Sequence, residues 1–357
     1  MQGHLSWLEA IVIGLIQGVS ELFPVSSLGH SVLLPAVIGG SWARDLDVSA
    51  GESPYLAFIV GLHVATAIAL VIYFWRDWVR VIRGLVTSIV RREVTDPDQR
   101  LAWLLILGTI PVGLAGLLLE HTFRAVLAKP VPTAVFLVLN GVVLLAGEHL
   151  RRRVTAPDPA AVAPPGRQVG VDAPTEVLRP RAGVASEAPT EAMYLTAADD
   201  RSVLSPGVAP GEPGADYVDE RVSGAESDAR LARMPTGRAV LIGAVQIAAL
   251  APGISRSGIT MVTGLVRGLS HEDAARFSFL LSTPVILAAG VLKLGDLAGP
   301  LGDGIRAQVL VGSLLSGIGA YLSVQFLTRW FATNSLRPFG IYCIVAGAGA
   351  LAWFALR

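Results

Sequence analysis

The sequence predicts an all-α polytopic membrane protein with an inverted repeat of two halves, each a re-entrant broken-helix hairpin followed by three transmembrane helices. Composition supports this fold class, because 52% of the 357 residues are hydrophobic and only 16% are charged, whereas soluble domains carry roughly a quarter charged residues. Several apolar runs approach the ~20 residues that a helix needs to cross a bilayer. In addition, two breaks containing proline and serine interrupt apolar sequence, and they recur in the same order in both halves.

The charge balance limits the classes of partner. The 28 basic residues offset the 28 acidic residues, so the net charge does not favour nucleic acid and we expect no such partner. The single cysteine, Cys343, excludes a disulfide within the chain. We expect no organic cofactor, and we expect the lipid bilayer to surround most of the protein.

The first half begins with a broken hairpin, called here the first hairpin. Residues 5–19 are apolar with helical periodicity, and Pro24 ends that helix. Ser26 or Ser27 can cap a second helix that runs to about Val37. Each piece is too short to span a bilayer well, so we expect a re-entrant hairpin that is buried in protein or lines a cavity.

Three predicted spans complete the first half, and polar loops precede or separate them. The spans are residues 55–75, 101–119 and 132–147. The loops are a polar one at residues 39–54, a basic one at residues 76–100 and a short mixed one at residues 120–131.

Residues 155–236 differ in kind from the rest of the chain. They are rich in Pro, Ala, Gly, Asp and Glu and nearly free of aromatic residues, so they cannot bury enough apolar surface to fold alone. We predict a disordered cytoplasmic insert, and a regulatory or partner-binding role for it stays open. The insert separates a first membrane repeat, residues 1–154, from a second one, residues 237–357.

The second half repeats this plan. Residues 238–250 and 255–266 form the second hairpin, since Pro252 and Gly253 break the helix and Ser255 is a good cap for the next one. The three predicted spans that follow are residues 277–294, 309–327 and 338–354. Residues 58–77 align with residues 277–296 without gaps.

An odd number of spans per half places the second half upside down relative to the first, which is the inverted-repeat plan of many membrane proteins. The arginine-rich segments fall on one side, which should be cytoplasmic: residues 76–100, 151–238, 267–276 and 329–337. The first hairpin then enters from outside and the second from the cytoplasm, so we expect their tips to meet within the membrane.

The meeting of the tips predicts a phosphate-binding centre. Helix N-termini bind anions, an arginine grips phosphate in bidentate fashion, and an arginine in lipid is a functional candidate by default. The first hairpin contributes Gln17, Glu21, Ser26, Ser27 and His30, and the second contributes Ser255, Arg256, Ser257 and Thr260. This set contains the parts of a phosphoryl-transfer site, namely a positive clamp, hydroxyl nucleophiles, an imidazole, and a carboxylate that acts as base or metal ligand.

Each of these residues also has a purely structural interpretation. Arg256 can snorkel to the interface, Glu21 can do no more than balance its charge, and Thr260 can bond back to its own helix. The remaining polar residues of the hairpins can act as helix caps, in the case of Ser26 and Ser27, as a packing residue, in the case of His30, or through an orienting hydrogen bond, in the case of Gln17. His63, in the predicted span 55–75, can either line the cavity or pack against neighbouring helices.

Two motifs carry a family resemblance. Gln17-Gly-Val-Ser-Glu21 followed by Leu-Phe-Pro-Val-Ser-Ser-Leu-Gly-His30 resembles the first signature of the bacterial undecaprenyl-diphosphate phosphatases of the bacitracin-resistance type, and Pro252-Gly-Ile-Ser-Arg-Ser-Gly-Ile-Thr260 resembles the second. The family admits Glu or Gln at the first position, so Gln17 leaves Glu21 as the only carboxylate of the motifs. The long insert is a second departure, since typical members have a short connection there.

The resemblance implies hydrolysis of undecaprenyl diphosphate to undecaprenyl phosphate and inorganic phosphate, which recycles the lipid carrier of peptidoglycan synthesis and confers bacitracin resistance. It also implies a bacterial inner-membrane protein whose site opens to the outer face, with stimulation by Mg²⁺ or Ca²⁺; a homodimer is possible. In the roles assigned on this basis, Arg256 clamps the diphosphate, Ser27 or His30 attacks, and Glu21 positions the base, the water or the cation. The substrate-binding set comprises Gln17, Ser26, Ser255, Ser257 and Thr260.

Two rival functions remain. A transporter that flips undecaprenyl phosphate fits the inverted repeat and the broken helices. A second lipid phosphatase family is faintly suggested by Ser27-Leu28-Gly29-His30, but Ser255-Arg256 lacks a fitting His and Asp downstream, so we discount it.

Overall fold

The computed structural model describes residues 5–47, 54–155, 215–299 and 304–356, and the regular structure within these ranges is entirely helical. The helices of the first half are α1 (Trp7–Leu22), α2 (Ser27–Ile38), α3 (Gly40–Asp45), α4 (Pro54–Tyr73), α5 (Trp75–Arg91), α6 (Pro97–Leu127) and α7 (Pro130–Thr155). Those that follow are α8 (Ala215–Ala232), α9 (Thr236–Ala244), α10 (Arg256–Val266), α11 (His271–Ala298), α12 (Arg306–Thr333) and α13 (Arg337–Ala355). A 3-10 segment, Val245–Leu250, follows α9 directly.

The apolar helices confirm a polytopic membrane fold. Within the described residues, five helices are long and apolar enough to cross a membrane, and they belong to α6, α7, α11, α12 and α13. The first predicted span is different. Phe58–Tyr73 is long enough to cross a membrane only when it is combined with Trp75–Arg91, and the angle of the bend between these two helices is 84°. The described part of the chain therefore has five spans, or six if the bent pair is counted as one.

Two predicted loops contain helices of their own, and α6 extends to Leu127 through part of a third, residues 120–131. Apolar residues recur among the arginines of the basic loop at residues 76–100, and Val79, Ile82 and Val86 follow the spacing of one helix face, which explains why α5 forms there. The opposite face of α5 packs on α6, and the indole Nε1 of Trp103 donates to Ser88 Oγ at 3.0 Å. The polar loop at residues 39–54 contains the short helix α3, although residues 48–53 lie outside the described residues.

Helix packing follows the predicted repeat. The first helix of the first hairpin, α1, packs on α12, and its counterpart α9 packs on α6, which is the counterpart of α12. The related helices α4 and α11 pack on each other, as do α7 and α13. The fold is thus an all-α membrane fold of two repeats, in which each hairpin rests on a span of the other half.

Small residues let these helices approach closely. A Cβ atom added to Gly14 of α1 would lie 2.5 Å from the carbonyl oxygen of Gly312 in α12. At the equivalent contact, a Cβ atom on Gly243 of α9 would overlap the carbonyl oxygen of Gly108 in α6. Such backbone contact between small residues is typical of helix packing in membranes.

The loops gather at two ends as predicted. At one end Glu148 Oε1 accepts hydrogen bonds from the Leu336 amide at 2.8 Å and from His271 Nε2 at 2.5 Å, which ties the end of α7 to two of the basic segments. The segments expected on the other side share a separate buried cluster that includes Leu5, Leu46, Ala128 and Ile305. The two hairpins therefore begin at opposite ends of the helix bundle.

The prediction of a disordered insert over residues 155–236 is wrong for its last part. The structure has helix α8 at Ala215–Ala232, whereas residues 156–214 lie outside the described residues. The described residues up to 155 and from 223 onward form one compact unit, called here the membrane unit. Much of α8 thus belongs to the membrane unit, and the boundary at residue 236 lies too far along the chain.

Charged groups, together with the buried apolar residues Leu231 and Ala232, hold this part of α8. The Asp228 carboxylate accepts from Arg276 Nε at 2.7 Å and from an Arg80 amino group at 2.7 Å. Asp273 accepts from Ser227 Oγ at 2.5 Å and from Arg230, and this hydrogen bonding raises the pKa of the Arg230 guanidinium. A composition-based prediction misses such pairing, because it counts only the apolar surface that a segment can bury.

Candidate active site

The tips of the two hairpins meet, as the sequence predicts. Pro24 ends α1, and Ser26 caps α2 by accepting from the Gly29 amide at 3.2 Å. The same Ser26 oxygen accepts from the amide of Gly253 in the second hairpin at 3.2 Å. In the other direction, Ser257 Oγ donates to the carbonyl oxygen of Phe23 at 3.3 Å. The N-termini of α2 and α10 are therefore brought together inside the protein.

Both breaks use an unusual backbone conformation. Ser26 has φ 67°, a left-handed value that is uncommon for a residue other than glycine. Gly253 has φ 105°, and a Cβ atom there would overlap the carbonyl oxygen of Thr133. A left-handed residue other than glycine is strained, and such residues cluster at functional sites; Ser26 directly precedes Ser27.

Asn140 of α7 fastens the two tips to each other. Its Oδ1 accepts from the Ser255 amide at 3.0 Å, and its Nδ2 donates to the carbonyl oxygen of Pro24 at 3.1 Å and to Cys343 Sγ at 3.3 Å. The residue is 1% exposed. One side-chain amide thus satisfies polar groups of both hairpins in the interior of the protein.

The centre of the site is the carboxylate of Glu21, whose side chain is 4% exposed. Its Oε2 accepts from Ser27 Oγ at 2.5 Å and from Gln17 Nε2 at 2.9 Å. Its Oε1 lies 3.5 Å from an amino group of Arg256, whose side chain is 25% exposed. Four of the predicted residues are therefore assembled from both hairpins, with the arginine at the accessible side.

An imidazole completes this cluster, and it belongs to His63 of α4. Its Nε2 lies 3.4 Å from Glu21 Oε2 and 3.3 Å from Gln17 Nε2, and its Nδ1 lies 2.8 Å from the carbonyl oxygen of Ile59. The sequence left a cavity-lining role and a packing role open for this residue. The structure places the ring against Glu21 and Gln17, two residues of the candidate site.

His30 is not brought to the carboxylate, contrary to the prediction for the first hairpin. Its Nδ1 lies 2.8 Å from the carbonyl oxygen of Ser26, and its Nε2 lies 2.7 Å from the hydroxyl of Tyr342. Helical spacing explains this position, because His30 lies one turn beyond Ser26, on the face of α2 that contacts α13. There it lines an apolar groove of about 330 Å³ with Leu33, Leu137, Ala346 and Trp353.

The hydroxyls of the second hairpin are occupied within the protein. Ser255 Oγ caps α10 by accepting from the Gly258 amide at 3.1 Å, and it lies 3.1 Å from Ser257 Oγ. Thr260 Oγ1 donates to the carbonyl oxygen of Arg256 at 2.7 Å. These contacts favour capping for Ser255 and back-bonding for Thr260, while their expected contacts with substrate stay predictions.

The donor set is compatible with one hard divalent cation. Gln17 Oε1 is buried and has no hydrogen-bond partner, and it belongs to the side chain that already contacts Glu21. Mg²⁺ is usually bound by one or two carboxylates together with substrate phosphates, which fits a single carboxylate and a nearby amide oxygen. Among the described residues there is no group of three His, Cys, Asp or Glu that could hold a metal ion by itself.

Sequence reasoning overlooked Asn140, and it gave His63 no firm role. Both are polar residues within predicted spans, where an unpaired polar group is costly. The polarity of these two positions was the signal that the sequence offered. It does not show which groups they contact, because those groups come from distant parts of the chain.

Comparison with known proteins shows the family of the chain. Residues 10–165 and 215–349 match the family model described as "Bacitracin resistance protein BacA", so the match includes α8 and omits residues 166–214. The chain is 56% identical to "Undecaprenyl-diphosphatase" of Mycolicibacterium paratuberculosis over 357 residues, which is 100% of both chains. It is 54% identical to "Undecaprenyl-diphosphatase 1" of Frankia casuarinae, over 96% of each chain. The protein therefore belongs to the BacA bacitracin-resistance family.

Proposed function

We propose that this protein hydrolyses undecaprenyl diphosphate to undecaprenyl phosphate and inorganic phosphate, and thereby recycles the cell-wall lipid carrier and confers bacitracin resistance. The observation that carries the proposal is the contact of Ser27 Oγ, Glu21 and Arg256 where the hairpin tips meet. A nucleophile, its base and a cation within one buried cluster are what phosphoryl transfer requires. The relatives that match the whole chain carry the name of this activity.

In the mechanism that the geometry supports, Ser27 is the nucleophile. Its hydroxyl donates to Glu21 Oε2 at 2.5 Å, so the carboxylate is placed to take the proton as Ser27 Oγ attacks the terminal phosphorus. The bond from that phosphorus to the bridging oxygen breaks, and undecaprenyl phosphate leaves with the electron pair. Water then cleaves the phosphoserine. The second candidate nucleophile, His30, receives no support from its contacts with Ser26 and Tyr342.

Charge stabilisation comes from Arg256 of the second hairpin and from the helix N-termini of both hairpins. Arg256 lies at the accessible side of the carboxylate, where its fork of N–H groups can bind the phosphate oxygens. The N-termini of α2 and α10 meet at the same place and favour negative charge. We also propose that the substrate is bound by a group of four hydroxyl residues, Ser26, Ser255, Ser257 and Thr260. Their hydroxyls bond within the protein and hold nearby peptide groups in place, and these peptide groups would contact the substrate.

A divalent cation is part of the proposal. Glu21 and the free amide oxygen of Gln17 would hold Mg²⁺ or Ca²⁺. When bound, such an ion neutralises negative charge on the phosphate oxygens.

The location of the site is also proposed. The apolar helices make this a membrane protein, and we assign it to the bacterial inner membrane with the arginine-rich end in the cytoplasm. The family resemblance supports a site that opens to the outer face. A homodimer stays a prediction of the sequence.

The deciding experiment measures two activities of the purified protein. We expect inorganic phosphate to be released from undecaprenyl diphosphate in detergent, and release to fall when Mg²⁺ and Ca²⁺ are chelated. In liposomes, movement of undecaprenyl phosphate across the bilayer without phosphate release would support the transporter instead. Absence of phosphate release with every cation tested would overturn the proposed hydrolysis.

A further inference from the structure

Helix α5 lies across the point where the α6 span begins. The 84° bend between α4 and α5 turns α5 nearly perpendicular to α4, which itself packs on the spans α11 and α12. At the middle of α5, a Cβ atom on Gly84 would lie 2.8 Å from the backbone of Asp98, and Trp103 Nε1 donates to Ser88 Oγ at 3.0 Å. Asp98 and Trp103 belong to the first two turns of α6, whose apolar span is Pro97–Leu119. Helix α5 therefore runs along the membrane surface, at the depth where that span enters the bilayer.

The face of α5 that points away from the protein is apolar. Four of its side chains are more than half exposed, and their spacing places them along one stripe of the helix, called here the outer stripe: Val79, Ile82, Val86 and Ile89. The opposite side of the helix is buried at Val81, Gly84 and Ser88. An exposed apolar patch beside polar residues marks a contact with another protein or with a membrane.

Arginines lie along one edge of the outer stripe. Arg76 precedes Val79 by three residues and Arg83 precedes Val86 by three, so each is the helical neighbour of a stripe residue. Both side chains are exposed, and among the described residues no carboxylate is paired with either guanidinium. Arg80 differs, because it lies nearer the buried side and pairs with acidic residues of the protein, Asp228 among them. The positive charge of Arg76 and Arg83 is therefore available to a partner outside the protein.

We propose that α5 is an interfacial helix that binds acidic phospholipid at the arginine-rich end of the protein. The outer stripe lies among the upper parts of the acyl chains, and Arg76 and Arg83 contact the headgroup phosphates. Arginine suits this position, because its apolar stem can follow the stripe while the guanidinium stays in the polar layer. Trp75 is exposed at the start of α5, and indoles are enriched at the same boundary. This binding does not depend on the proposed hydrolysis.

The charge and the depth of the helix select this partner. A zwitterionic headgroup balances its own phosphate, whereas an acidic one keeps a net negative charge that attracts arginines near the surface, and a guanidinium can bind its phosphate oxygens in bidentate fashion. A basic amphipathic helix gains from both apolar burial and this attraction. A soluble protein does not reach a face that lies beside the first two turns of a span.

The test places a fluorescent bimane label on the outer stripe through Ile82→Cys. The native Cys343 is buried and does not compete for the label. The control position is Leu314→Cys, an exposed apolar residue within α12. Each labelled protein is reconstituted in vesicles of phosphatidylcholine and phosphatidylglycerol, in which one lipid or the other carries bromine on its chains as a quencher. We expect brominated phosphatidylglycerol to quench the label at position 82 at about fivefold lower mole fraction than brominated phosphatidylcholine, and both lipids to quench equally at position 314.

The arginines are tested on the same labelled protein. Arg76→Gln combined with Arg83→Gln should remove the preference for phosphatidylglycerol while quenching by phosphatidylcholine continues. Arg233→Gln, at an exposed arginine outside α5, should leave the preference unchanged.

Three results would overturn the proposal. Equal quenching by the two lipids at position 82 would remove the role of acidic headgroups, and a preference that survives the loss of both arginines would remove the role of Arg76 and Arg83. A label that neither lipid quenches would show that the outer stripe does not face the bilayer. Val86→Cys, on the same stripe, takes the place of Ile82→Cys if that variant does not fold.

Discussion

An oxygen of the Glu21 carboxylate lies 3.5 Å from an amino group of Arg256, although Glu21 is near the end of α1 and Arg256 begins α10. The contact exists because two hairpins that start at opposite ends of the membrane unit have touching tips. A charge buried without a partner is costly, so each residue stabilises the other. Since Arg256 remains 25% exposed, it can also bind substrate.

Arg256→Ala should lower kcat/KM by about 100-fold to 1000-fold, the usual effect of removing a donor that stabilises transition-state charge. Arg256→Lys should recover only part of this loss, because an ammonium keeps the charge but lacks the bidentate fork. Phosphate release from undecaprenyl diphosphate measures both variants, and Arg233→Ala, at an exposed arginine, is the matched control. Full activity in Arg256→Ala would contradict the clamp.

Ser27→Ala and His30→Ala should differ, which decides the nucleophile. Ser27 Oγ contacts Glu21 at 2.5 Å, whereas the His30 ring contacts Ser26 and Tyr342. We therefore expect Ser27→Ala to lower kcat by at least about 1000-fold and His30→Ala to have a smaller effect on kcat. The measurement is single-turnover phosphate release together with a search for phosphoserine in acid-quenched wild type. The reverse order of effects would make His30 the nucleophile.

The sequence predicted the parts of this site that depend on local breaks. Pro24 and Pro252 each lie shortly before serines that can cap a new helix, so the positions of both breaks followed from the sequence, although Ser26 and Ser27 both stayed open as the first cap. The meeting of Glu21 and Arg256 followed from the repeat and from the arginine distribution.

Other parts of the site depend on tertiary contacts that no local pattern encodes. The direction of the His30 ring depends on whether α13 lies beside α2, and the role of Asn140 depends on two backbone groups from different hairpins. Helix α8 is ordered by partners on other helices, such as Arg276. The composition of this segment shows only that it contains few apolar residues.

Asn140→Ala should destabilise the protein and lower its activity together. The change removes hydrogen bonds to Ser255 and Pro24 that lie in a buried region, and an unsatisfied buried group costs about 1–3 kcal/mol. Thermal unfolding in detergent measures the loss of stability. Phosphate release below the unfolding temperature measures how far displacement of the hairpin tips lowers the activity. Asn334→Ala, at an exposed asparagine, is the control. An Asn140→Ala protein as stable and active as the wild type would show that the tips meet without this residue.

Asp228→Ala should destabilise the membrane unit although the residue comes from the predicted insert. Its carboxylate, 3% exposed, accepts from Arg276 and from Arg80, so its removal leaves a largely buried guanidinium with Asp77 as its remaining partner. Breaking a buried pair completely costs about 3–5 kcal/mol, and we expect a smaller loss here because Asp77 stays 3.1 Å from Arg276. The control is Glu226→Ala on the same helix, where the carboxylate is 66% exposed and its nearest contact to Arg230 is 4.0 Å; such surface changes stay within about 0.5 kcal/mol. Thermal unfolding in detergent compares the two, and equal unfolding temperatures would show that α8 does not stabilise the membrane unit.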